Sequence, residues 1–157
     1  MLTLILPPDI SEKIAVALRK AGDREVGGVL MAEHTGLNEF EVKDIAIHRR
    51  GAIASFVRRI EEAIGRLRAF FESTNHDYTR FNYIGEWHSH PCFEPEPSPR
   101  DDASMKQIVQ DPEVGANFVV LLIVKLDSIG TLIARAHMYL PNGEKHRSIV
   151  RSEVLQS

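Results

Sequence analysis

The longest apolar run of the chain is Phe118–Val124, in which no residue has a polar side chain. Such a run is typical of a strand covered on both faces, because a strand with one face in water alternates apolar and polar residues. It is far shorter than the roughly 20 apolar residues that span a bilayer. The run therefore predicts a central buried strand, Asn117–Leu126, and gives no indication of a membrane partner.

Shorter segments around this strand predict an irregular alternation of helices and strands. Apolar residues at helical spacing indicate helices over Pro8–Ala21, Arg58–Ser73 and Asp101–Gln110. Strand patterns occupy Leu2–Leu6, Glu25–Met31, Glu39–Ile47, Phe81–His88, Thr131–Leu140 and His146–Val150. A flexible Gly27-Gly28 pair is expected in the second of these strands, and a turn is expected at His34-Thr35-Gly36. This order predicts an α/β fold, with one mixed sheet flanked by helices.

The length and composition are those of one globular domain. The chain has 157 residues, enough for one substantial core, so residues 1–157 are expected to form a single domain. Its net charge of −3 is small and mixed, which gives no indication of nucleic acid as a partner. The N-terminus lacks the basic residues of a signal peptide, and Cys92, the only cysteine, has no intrachain partner. Both features favour a cytoplasmic location.

Two histidines one residue apart, His88 and His90, end the strand that precedes a proline-rich loop. Because side chains alternate faces in a strand, both imidazoles project to one side while Ser89 projects to the other. Two imidazoles and one carboxylate, with a fourth position open to water, are typical of a catalytic zinc ion. Asp101 is the favoured third ligand, since it starts a helix one loop downstream. Asp102 is the alternative, turned about 100° away on that helix.

The segment Ser98-Pro99-Arg100-Asp101 also has the composition of an ordinary helix start. Taken alone it is more often a helix cap, and a lone histidine pair is more often a packing pair. Their close spacing favours a metal site, and the two roles are compatible because a helix N-terminus stabilises an ionised Asp. Ser98 could then donate a hydrogen bond to an oxyanion. Barrel hydrolases with a similar histidine pair are excluded, since they need about 200 residues or more.

Together these segments resemble the JAMM metallopeptidases, also called MPN+ or JAB domains, which cleave ubiquitin and ubiquitin-like modifiers from their targets. The family pattern is a Glu followed by small residues and Leu, a distant His-Ser/Thr-His-Pro, and Ser-x-x-Asp after seven further residues. The chain has Glu25-Val26-Gly27-Gly28-Val29-Leu30, His88-Ser89-His90-Pro91 and Ser98-Pro99-Arg100-Asp101 at these spacings.

The resemblance implies a fold and a set of site residues. The fold would be a single JAB/MPN domain with a mixed, mainly antiparallel sheet. His88, His90 and Asp101 would bind Zn²⁺, and the family spacing selects Asp101 over Asp102. Glu25 would be the general acid/base, and Ser98 would help to stabilise the oxyanion.

For other residues near the motif, the sequence gives weaker indications of a role at the site. In a strand, Glu86 projects to the same side as His88 and His90, so it is a candidate neighbour of the ligands. Trp87 projects to the opposite side of the strand and is expected to pack in the core. Cys92 could be read as a fourth ligand, but an active site needs that position for water. The remaining histidines lack ligand spacing and are expected in turns or at the surface: His34, His48, His76, His137 and His146.

The resemblance also implies a substrate class. In the family, the modifier's C-terminal tail is held as an added strand, so that its final carbonyl reaches zinc. By analogy, the walls of the channel are expected at Gly51–Phe56, Val57-Arg58-Arg59 and Cys92–Pro97. The string Tyr83-Ile84-Gly85-Glu86-Trp87-His88 resembles bacterial stand-alone members, which accompany E1- and E2-like enzymes in anti-phage operons. In some of these operons a cyclic-nucleotide synthase is conjugated through its C-terminus.

The leading hypothesis is therefore a zinc isopeptidase that reverses such conjugation. A non-catalytic MPN scaffold is one alternative, against which the complete ligand set argues. A small-molecule or sulfur-carrier-peptide hydrolase on the same fold is the other.

Overall fold

The computed structural model describes residues 1–48 and 56–152. Within these residues the chain forms seven strands and three helices. In chain order they are β1 (Thr3–Leu6), α1 (Pro8–Ala21), β2 (Gly27–Gly36), β3 (Glu39–Ile45), α2 (Phe56–Ser73), β4 (Phe81–Ser89), α3 (Pro99–Gln110), β5 (Val119–Leu126), β6 (Leu132–Tyr139) and β7 (Lys145–Ser152).

The strands of the described residues form one mixed sheet that closes into a barrel, in the order β1-β3-β2-β4-β5-β6-β7. The antiparallel pairs are β2–β3, β2–β4, β5–β6 and β6–β7. The parallel pairs are β1–β3, β1–β7 and β4–β5. The predicted α/β class, with a mixed and mainly antiparallel sheet flanked by helices, is confirmed. The closure that pairs β1 with β7 is a feature that the sequence does not indicate.

The strand β5 is buried on both faces, as its apolar run predicts. Its odd-numbered residues 119–123 pack with Met105 and Ile108 of α3. Its even-numbered residues 120–124 pack in a second cluster with Ile10 and Ile14 of α1. Burial of each such side chain stabilises the fold by roughly 1.5–3 kcal/mol. β5 thereby fixes α3 against the sheet beside β4.

The helix α2 covers another part of the barrel. Its residues Ala63, Leu67 and Phe70 pack against Val29 and Met31 of β2. The sequence period places Ile60, Ile64, Leu67 and Phe71 on the apolar face. Leu67 is buried as this pattern indicates, but Ile64 is 42% exposed, so the packed face is turned towards Ala63 and Phe70. No helix in the described part of the chain is long and apolar enough to cross a membrane.

Several predicted boundaries are corrected by the structure. β2 continues through His34–Gly36, so the turn lies at Leu37-Asn38, where Asn38 has a φ of 54°. α2 and α3 each begin two residues before the predicted start. The Gly27-Gly28 pair is buried rather than flexible, because a Cβ on Gly28 would lie 1.7 Å from the Ala46 carbonyl oxygen. These glycines allow β3 and β4 to approach β2 closely.

Candidate metal centre

His88 and His90 lie where β4 meets the loop that leads to α3. Their rings stack on one side of the strand, with centroids 5.5 Å apart and 18° between the ring planes. β4 is held between two neighbours at this point, since His88 is paired with Gly27 of β2 and with Ile123 of β5. The sheet therefore fixes the backbone that presents both imidazoles.

Asp101 reaches both imidazoles from the first turn of α3. Its Oδ1 lies 3.1 Å from His88 Nε2, and its Oδ2 lies 3.2 Å from His90 Nε2. A capping box holds the carboxylate in place: the Ser98 N–H donates to Asp101 Oδ2 at 2.9 Å, and the Asp101 N–H donates to Ser98 Oγ at 3.1 Å. One possible ligand atom from each of the three residues lies within 4.8 Å of the others. The helix cap and the three-residue cluster thus share Asp101.

The orientation of the two imidazoles fits a metal cation. His90 Nδ1 lies 3.1 Å from the Glu94 carbonyl oxygen, so Nδ1 carries the proton and Nε2 directs its lone pair towards Asp101. His88 Nε2 is buried, and it has no hydrogen-bond partner among the described residues although Asp101 lies beside it. A buried nitrogen of this kind beside a carboxylate is an arrangement that a bound cation satisfies.

The charges in the cluster shift the pKa of two of its members, Asp101 and His90. Burial alone would raise the pKa of Asp101, but the imidazoles of His88 and His90 outweigh it and hold the pKa of this carboxyl well below its usual range. The Asp101 carboxylate raises the pKa of His90, and the Glu94 carbonyl and the charge of Glu25 act in the same direction. The Asp101 carboxylate and the His90 imidazole therefore favour each other's charged forms.

Asp102, the alternative ligand, points away from the imidazoles. Its Oδ1 accepts a hydrogen bond from Tyr139 Oη at 2.5 Å, and Lys145 Nζ lies 3.2 Å and 3.1 Å from its two carboxylate oxygens. Tyr139 is fully buried at the end of β6, and Lys145 begins β7. Asp102 therefore attaches the first turn of α3 to the barrel, while Asp101 faces β4.

Glu25 lies just before β2, beside the strand that carries the histidines. The Ser89 N–H donates to the Val26 carbonyl at 2.8 Å, and the Val26 N–H donates to Ser89 Oγ at 3.0 Å. These bonds continue the ladder from the Gly27–His88 pair, so Glu25 comes opposite His90. Its side chain is exposed, and its charge contributes to the raised pKa of His90. An exposed carboxylate next to the cluster is suited to proton transfer.

Ser98 is half-buried at the N-cap of α3. Its hydroxyl oxygen accepts the Asp101 N–H, an interaction that does not use the hydroxyl hydrogen. The cap and a hydrogen bond to a substrate oxygen are therefore compatible.

The three other residues near the motif have different surroundings. Glu86 lies on the side of the histidines, but it forms a buried ion pair with α2, in which Arg59 Nη2 lies 2.8 Å from Glu86 Oε1. Trp87 packs in the core, as expected, and its indole N–H donates to the Ala46 carbonyl at 3.0 Å. Cys92 is exposed and is not part of the cluster found among the described residues.

A cleft of about 430 Å³ opens beside His88 and Asp101. Of the expected walls, Phe56, Val57 and Arg59 of α2 line the cleft, and residues 51–55 lie outside the described residues. None of residues 92–97 is among the described lining. Sequence reasoning missed the opposite wall on α3, which includes Arg100, Ser104 and Gln107. Only the position of these residues in the helix after Ser98 could have indicated it.

Two histidines expected in turns or at the surface are buried. His48, which is 3% exposed, follows β3, and its N–H donates to the Gly27 carbonyl at 2.6 Å. His137, in β6, lies with Nε2 3.6 Å from a carboxylate oxygen of Glu96. The parity that His137 shares with Tyr139 in the predicted strand was a usable signal, whereas nothing local marks His48.

Known proteins share this sequence pattern and fold. The sequence profile of a family described as prokaryotic homologs of the JAB domain matches residues 7–138. A CD-NTase/cGAS isopeptidase from Enterobacter hormaechei subsp. hoffmannii (strain UCI 50) is 26% identical over 129 residues, which are 82% of this chain and 71% of the relative.

Two solved structures are also similar. A protein from Desulfitobacterium hafniense matches over 96% of this chain and 94% of its own, with a TM-score of 0.62 and 18% identity, which shows a shared fold. A JAB1/MPN domain protein from Archaeoglobus fulgidus matches over 94% of this chain and 97% of its own, with a TM-score of 0.49 and 13% identity.

Proposed function

Because the chain belongs to the family of prokaryotic JAB-domain homologues, we propose that it is a zinc-dependent isopeptidase. It would cleave the bond that follows the C-terminus of a ubiquitin-like modifier, or of a protein conjugated in the same manner. The isopeptidase relative supports hydrolysis of a peptide or isopeptide bond. The observation that carries the proposal is the convergence of His88, His90 and Asp101 beside an open cleft.

His88 Nε2, His90 Nε2 and a carboxylate oxygen of Asp101 would hold the zinc ion. This donor set is the one that catalytic zinc sites use, with a further position left for water. When bound, zinc supplies a Lewis acid that lowers the pKa of water and polarises a carbonyl group. The capping box on Asp101 and the Glu94 carbonyl on His90 keep these ligands oriented.

Glu25 and Ser98 would act on the substrate. Glu25 would accept the proton that the attacking water loses and return it to the leaving amine, and its position opposite His90 supports this role. The Ser98 hydroxyl would donate a hydrogen bond to the oxygen of the scissile carbonyl as negative charge develops on it. Loss of such a donor raises the barrier by roughly 3 kcal/mol.

The substrate would be an extended C-terminal tail. The relative is named for CD-NTase and cGAS, which supports a cyclic-nucleotide synthase of the CD-NTase class as the conjugated protein. The cleft lies between α2 and α3 with Gly27 and Gly28 in its lining, a shape that admits a peptide strand. E1- and E2-like enzymes would form the conjugate that this protein cleaves, in a cytoplasmic anti-phage system.

The proposal is tested with a CD-NTase from the same genome, fused through its C-terminus to green fluorescent protein. Zinc-loaded protein is expected to release the fluorescent protein, and Glu25→Gln is expected to lower kcat by about 10²–10⁴-fold while it retains zinc. Asp23→Asn, which changes an exposed acid two residues away, is the matched control and should cleave normally.

Two results would contradict the proposal. One is failure of the zinc-loaded protein to cleave the fusion, and the other is equal activity of Glu25→Gln and the wild type. Cleavage of a short tail peptide without cleavage of the fusion would instead indicate the small-substrate hydrolase.

A further inference from the structure

His48 lines the same cleft as His88 and Asp101, and it is two strands away from His88. Gly27 is paired with His88 on one side and with His48 on the other. Directly paired residues place their side chains on one face of a sheet, so both imidazoles flank a residue that has no side chain. His48, Gly27 and His88 all line the cleft. The lining therefore has an imidazole on each side of a glycine.

Among the described residues, one nitrogen of His48 has no hydrogen-bond partner. Its Nδ1 lies 3.3 Å from Glu62 Oε2, and its Nε2 is buried without a hydrogen-bond partner among the described residues. Burial lowers the pKa of His48, so the ring is neutral near pH 7. The carboxylate beside Nδ1 favours the tautomer with the proton on that atom. Nε2 is therefore a hydrogen-bond acceptor, and a buried acceptor without a donor is rare in folded proteins.

The geometry of the sheet indicates which donor would reach it. Adjacent strands lie about 4.8 Å apart, so His48 is about 10 Å from His88, roughly three residues of an extended chain. Gly27 adds no side chain to the space between them, and a Cβ on Gly27 would lie 2.7 Å from His88 Cβ. A peptide backbone can run along such a surface, and its N–H groups are donors of matching spacing.

The position of Glu25 indicates the direction in which the substrate peptide runs. The described residues that line this cleft do not include Glu25, which borders a separate groove beside α1. If Glu25 protonates the leaving amine, the leaving group lies on that side of the cluster. The acyl part of the substrate, which is the modifier or synthase tail, then runs through the cleft past His48.

We propose that His48 is a substrate-binding residue whose Nε2 accepts a backbone N–H of the substrate tail, about three residues before the scissile carbonyl. This inference rests on the proposed function and adds a recognition contact to it. The contact is to the main chain of the substrate and not to its side chains. It would therefore favour an extended tail of small residues over a folded tail or one with bulky side chains.

The test combines variants of His48 with N-methylated peptides. The probe is a fluorescein-labelled peptide of the last ten residues of the CD-NTase, and one backbone N–H near its C-terminus is replaced by N–CH₃ in each version. Binding to zinc-loaded protein is measured by fluorescence anisotropy. One N-methyl position is expected to weaken binding to the wild type roughly tenfold, the usual effect of one hydrogen bond.

N-methylation at the same position should have little effect on binding to His48→Leu. This variant is expected to bind the unmodified peptide roughly tenfold more weakly than the wild type, because the acceptor is absent. His48→Gln, whose side-chain oxygen can accept, should recover part of the affinity. His146→Gln, at an exposed histidine of β7, is the control. Zinc content and the melting temperature show whether each variant is folded, and His48→Ala replaces His48→Leu if the latter is not.

The outcomes separate this inference from the proposed function. Equal N-methyl effects in the wild type and in His48→Leu, with cleavage of the fusion intact, would overturn the role of His48 alone. The absence of any sensitive N–H in the wild type would do the same. Failure of the wild type both to cleave the fusion and to bind the peptide would overturn the proposed function, and the inference with it.

Discussion

The attachment of α3 to the barrel predicts a measurable effect of Tyr139→Phe. Tyr139 is fully buried, and its hydroxyl donates to Asp102 at 2.5 Å. Burial and the Asp102 carboxylate raise the pKa of Tyr139, so it is a neutral donor at every pH of interest. Phenylalanine keeps the ring and removes only this hydrogen bond.

The size of the effect follows from the charge of the acceptor. A hydrogen bond to a charged group contributes roughly 1.5–3 kcal/mol, against about 1 kcal/mol for a neutral pair. Lys145 still contacts Asp102 in the variant, so the carboxylate is not left without a partner. We therefore expect Tyr139→Phe to lower the free energy of unfolding by about 2 kcal/mol.

Urea denaturation with an unchanged m-value measures this difference directly. Tyr78→Phe is the control, because Tyr78 is 52% exposed and its hydroxyl lies 3.1 Å from the exposed His76 Nδ1. A loss no larger than that of Tyr78→Phe would refute the attachment of α3 through this bond.

Two further predictions concern buried charge and pH. Glu86→Gln removes the negative charge that Arg59 contacts in a buried site, so we expect a loss of roughly 1.5–3 kcal/mol in unfolding free energy; a loss no larger than that of the exposed Glu72→Gln would contradict this. In protein stripped of metal by a chelator, the contribution of Asp101, whose pKa is lowered, is present above 3.8 and is lost as the pH falls. The contribution of His90, whose pKa is raised, is present below 6.5 and is lost as the pH rises. The stabilisation that this pair provides is therefore greatest between these values, so the melting-temperature difference between the wild type and Asp101→Asn should be largest there; a difference that is largest above pH 7 would contradict the assignment.

The sequence predicts much of the fold because local patterns decide it. α1 occupies Pro8–Ala21 as expected, since Pro7 and Pro8 set its start and apolar spacing sets its buried face. β5 follows from one apolar run. Barrel closure has no local signal, because it depends on the long-range pairing of β1 with β7.

In the candidate site, too, some residues are placed by local patterns and others by long-range pairing. The parity of a strand places His88 and His90 on one side, and the first turn of a helix separates Asp101 from Asp102; these are short-range geometry. The position of Glu25 opposite His90 depends on pairing between distant strands, so it was reached only through the family resemblance. His48 was missed for the same reason, because its burial depends on the bridge to Gly27.

The most direct test of the account is the zinc content of the protein, measured together with cleavage of the CD-NTase fusion. The wild type should bind one zinc ion per chain, and its activity should rise in proportion to zinc added after chelation. Asp101→Asn should lose both zinc and activity, whereas Asp102→Asn should keep zinc at a saturating concentration. Stoichiometric zinc retained by Asp101→Asn, or full cleavage by zinc-free protein, would contradict the proposed metal centre.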